Sequence, residues 1–215
     1  YSSLQPDGDS WSLLRARFDP WFVPQAEAEG VQFISGVTVE ALHIEEGRVC
    51  GVIADNETLR ARYVVLAEGA NSVLAERYGF LPRPSTTAMA LGIKETLALD
   101  KFSGNICGEL PGGAFLYTNQ ETLSLGVVCP LSSLAQSDVP AAELLERLKT
   151  HPALHPLLRG SETLEYGAHL VPEGGLHSLP VQYAGDGWLL VGDALRSCVN
   201  TGLSVRGMDM ALIGA

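Results

Sequence analysis

Apolar positions along the chain follow two periods, and the switches between them divide it. Residues 11–29 carry Leu14, Phe18, Phe22 and Ala26 at four-residue spacing and stop at Gly30, the pattern of a helix face. Pro20 and Pro24 fall inside that stretch and call for a kink or a start near Asp19. Runs suited to strands follow at 32–34, 37–44, 49–54 and 58–62. Turn signals at Glu45-Glu46-Gly47 and Asp55-Asn56 separate them into a meander. Residues 63–67 are an unbroken apolar run, the pattern of a strand buried on both faces. Beyond it, Ser72 is placed to cap a short helix ending near Tyr78.

From residue 86 to 130 the texture becomes short β-like runs, at 88–94, 114–118 and 122–128, with a hairpin turn at Asn119-Gln120-Glu121. Residues 141–149 read as an amphipathic helix with Leu144, Leu145 and Leu148 on one face, and 165–171 as another strand. Gly185-Asp186-Gly187 is a turn, 188–191 an oily strand, and a last helix is expected from about Ser204. The order is therefore α/β, then mostly antiparallel β, then α/β again. It predicts a mixed α/β fold: a nucleotide-type layer over 1–84 and 181–215, with an antiparallel sheet domain inserted at 85–180.

Composition narrows the function. A net charge of −11 leaves no basic stripe for nucleic acid and disfavours electrostatic attachment to anionic lipid. No apolar stretch is long enough to span a bilayer, and no signal-peptide pattern opens the chain. The cysteines, Cys50, Cys107, Cys129 and Cys198, form no C-x-x-C pair, which fits neither an iron–sulfur cluster nor a zinc site, and a cytoplasmic setting is expected. The sequon-like Asn56-Glu57-Thr58 then carries little weight. Tyr1 at the start and a helical stop at the end read as a fragment.

The candidate chemistry sits in W-L-L-V-G-D-A-L-R-S-C-V-N-T-G-L-S-V-R-G, residues 188–207, where an oily strand halts at Asp193. In open α/β sheets ligands gather at the carboxyl ends of strands, and Gly192 permits close approach of a ligand to the backbone. A turn or capping role is what most strand-end aspartates have, and the spacing alone does not settle the role of Asp193. Other motifs carry less. Gly202-Leu203-Ser204-Val205-Arg206 lacks the closing glycine of a nucleophile elbow, so Ser204 reads as a helix cap. His151 and His155 have metal-ligand spacing, but each precedes a proline in a loop-like stretch, and a surface role is expected. His169 and His177 have no evident partner, Glu143 and Glu146 mark a wet helix face, and Met208 and Met210 read as core packing. No catalytic dyad and no metal site are predicted.

V-G-D-A followed by N-T-G-L-S-V-R-G-M-D-M-A resembles the C-terminal flavin motif of FixC-type FAD-dependent oxidoreductases, relatives of electron-transfer-flavoprotein:quinone oxidoreductase and of the geranylgeranyl reductases. L-L-R-A-R-F-D-P-W-F, R-Y-V-V-L-A-E-G-A-N-S-V-L-A-E-R-Y-G, F-L-Y-T-N-Q-E-T-L-S-L-G-V-V-C, H-P-A-L-H-P-L-L and G-A-H-L-V-P-E-G-G are similar to other stretches of that family, so the resemblance covers nearly the whole chain. It implies a two-domain FAD-binding flavoprotein fold with an inserted substrate or partner sheet. Asp193 would bind the ribityl chain of FAD beside Gly192. Asn200, Thr201, Gly202 and Leu203 would lie near the flavin pyrimidine edge, where backbone N–H groups and a helix dipole would favour the reduced form. Ala67, Glu68 and Gly69 would line the adenosine–pyrophosphate part, with Arg15 near the FAD and Val39 near the adenine.

The chain departs from the family pattern at Glu68, where Asp is common, and at Leu195 and Arg196, where Arg196 could shift the local charge or contact phosphate. The stretch 94–113 is short, and the N-terminal G-x-G-x-x-G is absent, so these residues alone are expected to hold FAD weakly. The activity implied is electron relay from an electron-transfer flavoprotein to a ferredoxin-like protein or quinone, with any membrane contact peripheral, at the inner face. A reductase or hydroxylase of a small or prenylated substrate is the alternative, and a cofactor-free binding remnant a third.

Overall fold

A computed structural model describes residues 14–98, 113–119, 121–200 and 205–214. Helix α1 (Arg15–Ala28) forms with both prolines inside it, and the part of the expected helix before residue 14 lies outside the described residues. None of its residues is buried, and Phe18, Trp21 and Phe22 pack on one another, with Phe18 and Phe22 stacked at 5.5 Å. The strand expected at 32–34 does not form. Phe33 and Ile34 are exposed and find no neighbouring strand to satisfy their backbone.

The meander is β1 (Val39–Glu45), β2 (Arg48–Ala54) and β3 (Glu57–Arg60), antiparallel in that order. Its two connections are two-residue turns, Glu46-Gly47 and Asp55-Asn56, with every φ positive, the backbone that matches strand twist. Next come β4 (Val64–Leu66) and helix α2 (Val73–Arg77). β4 pairs in parallel with β10 (Trp188–Leu190), and β10 pairs in turn with the short β9 (Ala184–Gly185). β4 departs from expectation, because Leu66 is buried but Val65 is 54% exposed. One face packs on the core and the other is uncovered by any described residue.

The turn before β10 fastens the meander to this layer. The Val49 N–H donates to the Asp186 carbonyl (3.0 Å) and the Val64 N–H to the Gly187 carbonyl (2.9 Å). Gly187 has φ +82°, and a Cβ there would lie 1.9 Å from the Val49 carbonyl oxygen, so only glycine fits. Leu42, Val49, Leu66, Leu74, Ala75, Leu81, Trp188, Leu190 and Ala194 make one core, with Phe80 stacked on Trp188 at 4.0 Å.

A second sheet has the order β6 (Gly113–Thr118), β7 (Thr122–Pro130), β5 (Met89–Ala98), β8 (Glu162–Pro172), all antiparallel. The β6–β7 hairpin falls where expected, held by Asn119 N–H to the Thr122 carbonyl, although Gln120 lies outside the described residues. Helices α3 (Leu131–Leu134), α4 (Ala141–Lys149) and α5 (His155–Leu158) follow β7. Ile93, Leu123, Leu125 and Val127 form a second core with Leu144, Leu145 and Leu154. His155 therefore opens a short helix rather than a loop, and both it and His151 are exposed. Glu95 of β5, 6% exposed, is met by Lys149 of α4 at 3.0 Å.

At the end of the chain, β11 (Val199–Asn200) pairs antiparallel with β12 (Val205–Arg206), and helix α6 (Met208–Ile213) follows. The last helix thus starts at Met208, not near Ser204, because strand pairing claims residues 205 and 206. Ser204 itself lies outside the described residues. Met208 is 43% exposed, so it does not fill a core.

Candidate functional site

Parallel pairing of β4 with β10 brings two chain segments to one edge. Val191 N–H donates to the Leu66 carbonyl (3.1 Å), so Ala67-Glu68-Gly69 and Gly192-Asp193 leave the sheet side by side at its carboxyl end. Gly192 turns there with φ +62°, starting a single 3₁₀ turn through Leu195 that closes on Arg196 at φ +59°. Asp193 is half-buried, burial raises its carboxyl above the usual range, and no hydrogen-bond donor from the described residues reaches it. A carboxylate held this way demands donors.

Around it lie groups that sequence reasoning did not single out. Cys198 is 2% exposed, and its thiol is pushed up to about 11, first by burial and then by the nearby Asp193, Glu173 and Asp209. Glu173, just past β8, is raised by burial and accepts a hydrogen bond from Asn200, while its Oε1 is buried with no partner among the described residues. Glu173 stands 27 positions before Asn200 in the sequence, and no local pattern announces that contact.

The other predicted positions divide. Glu68 is not free at the turn after β4: its two oxygens accept from the N–H groups of Leu74 (2.8 Å) and Ala75 (3.0 Å) in the first turn of α2. Ser72, the expected cap, instead donates its hydroxyl to the Gly69 carbonyl (2.8 Å). Gly69 has φ +74° and Ala67 is exposed. Val39 begins β1, opposite Ala54, with its neighbour Glu40 accepting from Arg77 of α2 at 2.6 Å. Arg15 is exposed and paired within α1 to Asp19 at 2.7 Å. Asn200 is exposed on β11. Thr201, Gly202 and Leu203 lie outside the described residues. Arg196 turns inward, 6% exposed, donating to the Pro82 carbonyl (2.5 Å) and facing Glu76 at 3.8 Å, which corrects its expected reach toward phosphate.

These residues fit the hydroxyl-rich side of a dinucleotide, because two acceptors that no described residue answers, Asp193 and the Oε1 of Glu173, lie at the 192–200 turn or against it, beside a glycine backbone. The turn after β4 suits phosphate less, since Glu68 already takes the amides of α2.

Comparison with known proteins gives the frame. Residues 10–146 match the family described as FAD binding domain. The chain is 69% identical over 233 aligned positions to the probable electron transfer flavoprotein-quinone oxidoreductase YgcN of Escherichia coli K12, covering 100% of this chain and 55% of that protein. It is 42% identical to protein FixC of the same strain, over 96% of this chain and 52% of FixC. The chain thus spans about half the length of the curated relatives it matches. A geranylgeranyl bacteriochlorophyll reductase-like protein from Thermoplasma acidophilum shares the fold, with a TM-score of 0.68 at 19% identity, covering 85% of this chain and 47% of that one.

Proposed function

The chain belongs to the FAD binding domain family, and we propose that the whole protein is an FAD-dependent oxidoreductase that relays electrons from an electron-transfer flavoprotein to a quinone or a ferredoxin-like protein. The observation carrying this reading is the 69% identity to a protein named as such an oxidoreductase, spread over the entire chain. Bound FAD supplies the redox chemistry, taking up and giving out electrons. The chain's own contribution is to bind and orient. Asp193 accepts hydrogen bonds from the polyol linker, and Gly192 lets that linker lie against the backbone. Asn200 would border the flavin. Electron relay needs no acid–base pair, which agrees with a site whose carboxyls are placed to hold hydroxyls. No helix among the described residues is long and apolar enough to cross a membrane.

A second reading has its own support. The face of the second sheet away from α4 presents Phe115 and Tyr117, stacked at 5.2 Å, a surface suited to a flat or prenylated substrate of a flavin reductase or hydroxylase. Stopped-flow reduction of the full-length, FAD-loaded protein by a reduced electron-transfer flavoprotein separates the two. Rapid bleaching of the flavin band supports relay. Bleaching by NAD(P)H alone, stimulated by a small substrate, supports the second reading and sinks the first.

A further inference from the structure

Glu173 belongs to two parts of the molecule. Its N–H donates to the Ala88 carbonyl (2.9 Å), which fixes its backbone to the start of the second sheet. Its side chain reaches Asn200 and lies near Cys198 together with Asp193. One carboxyl oxygen is satisfied by Asn200, while Oε1 is sealed from solvent without a partner among the described residues. A buried polar atom left this way costs stability, and it persists where something outside the chain completes it.

We propose that Glu173 is a further FAD-binding residue, its unpartnered Oε1 serving a hydroxyl or ring N–H of the cofactor, so that FAD joins the second sheet to the Asp193 turn. This rests on the reading that the cofactor lies along residues 192–200. It gives the same carboxyl opposite effects on the empty and the loaded protein. Removing it relieves the empty protein and weakens the loaded one.

The test uses the full-length protein, stripped of flavin and titrated with FAD by calorimetry, beside thermal melts of the apo form. Glu173→Leu should raise the dissociation constant roughly tenfold and leave the apo melting temperature equal or higher. Glu173→Gln keeps the shape and one acceptor oxygen for the cofactor and, with the Asn200 amide turned to accept from the new NH2, should stay within about threefold of the native value. Asp193→Ala is measured alongside. If it weakens FAD while Glu173→Leu does not, this inference falls and the site reading stands. If neither variant changes affinity, the site reading itself is wrong. A lower apo melting temperature for Glu173→Leu marks a purely structural carboxyl and also overturns the proposal. Should that variant fail to fold, the infrared difference between FAD-loaded and apo wild type decides, with the Glu173 band assigned through Glu173→Gln. A shift of that band supports the contact, and an unmoved band rejects it.

Discussion

The second sheet and the β4–β10 edge handle buried charge in opposite ways. In the sheet, Glu95 is 6% exposed and meets Lys149 at 3.0 Å, so the charge is answered within the protein. At the edge, no donor from the described residues reaches Asp193 or the Oε1 of Glu173. The first region is arranged to stay folded unaided. The second holds acceptors that no described residue answers, and functional sites are where local rules are expected to be broken.

The contrast can be broken from either side. The largest effect belongs to the sheet's core. Leu145→Ala removes a side chain that is 0% exposed and should cost about 3 kcal/mol in urea unfolding, with FAD affinity nearly unchanged. Lys149→Met strands the Glu95 carboxylate and should cost about 2 kcal/mol, below the full range for buried pairs because the lysine end is 24% exposed. An unaltered denaturation midpoint for Lys149→Met would dissolve the contrast. At the edge the effects should reverse. Asp193→Ala should weaken FAD binding by roughly tenfold, about 1.4 kcal/mol, without lowering apo stability.

The smallest effect is on pH dependence. Burial raises Asp193, so the unfolded chain gives up that proton first. The apo protein therefore loses stability as pH climbs from the ordinary carboxyl range, about 4, through the raised value. Asp193→Asn should flatten that part of the curve in pH-dependent melts. Glu45, held at about 2 chiefly by Arg60, works the other way: its contribution is present above 4.5 and fades as pH falls toward about 2.

Much of this fold could be read from spacing alone. The meander turns, the β6–β7 hairpin and α4 were legible because each carries a periodic run bounded by its own turn residues, and α4 matches residue for residue. The end of the chain was not, since β11 and β12 have two residues each and no period to detect. Placing Asp193 at a strand end was legible from W-L-L-V-G-D. Its surroundings were not, because Glu173 and Cys198 arrive through tertiary packing. Val65 misled for a physical reason: an apolar run reports that a strand can be covered on both sides, not that the described residues do so.

Glu68 has an effect larger than its exposure would suggest. By reaching six and seven residues ahead to the first amides of α2, its carboxyl occupies the donors an incoming anion would use. A phosphate approaching that doorway would have to evict a tenant tethered to the same chain and overcome its repulsion on the way. That turn is therefore a poor seat for any further anion, whatever binds at the neighbouring strand edge.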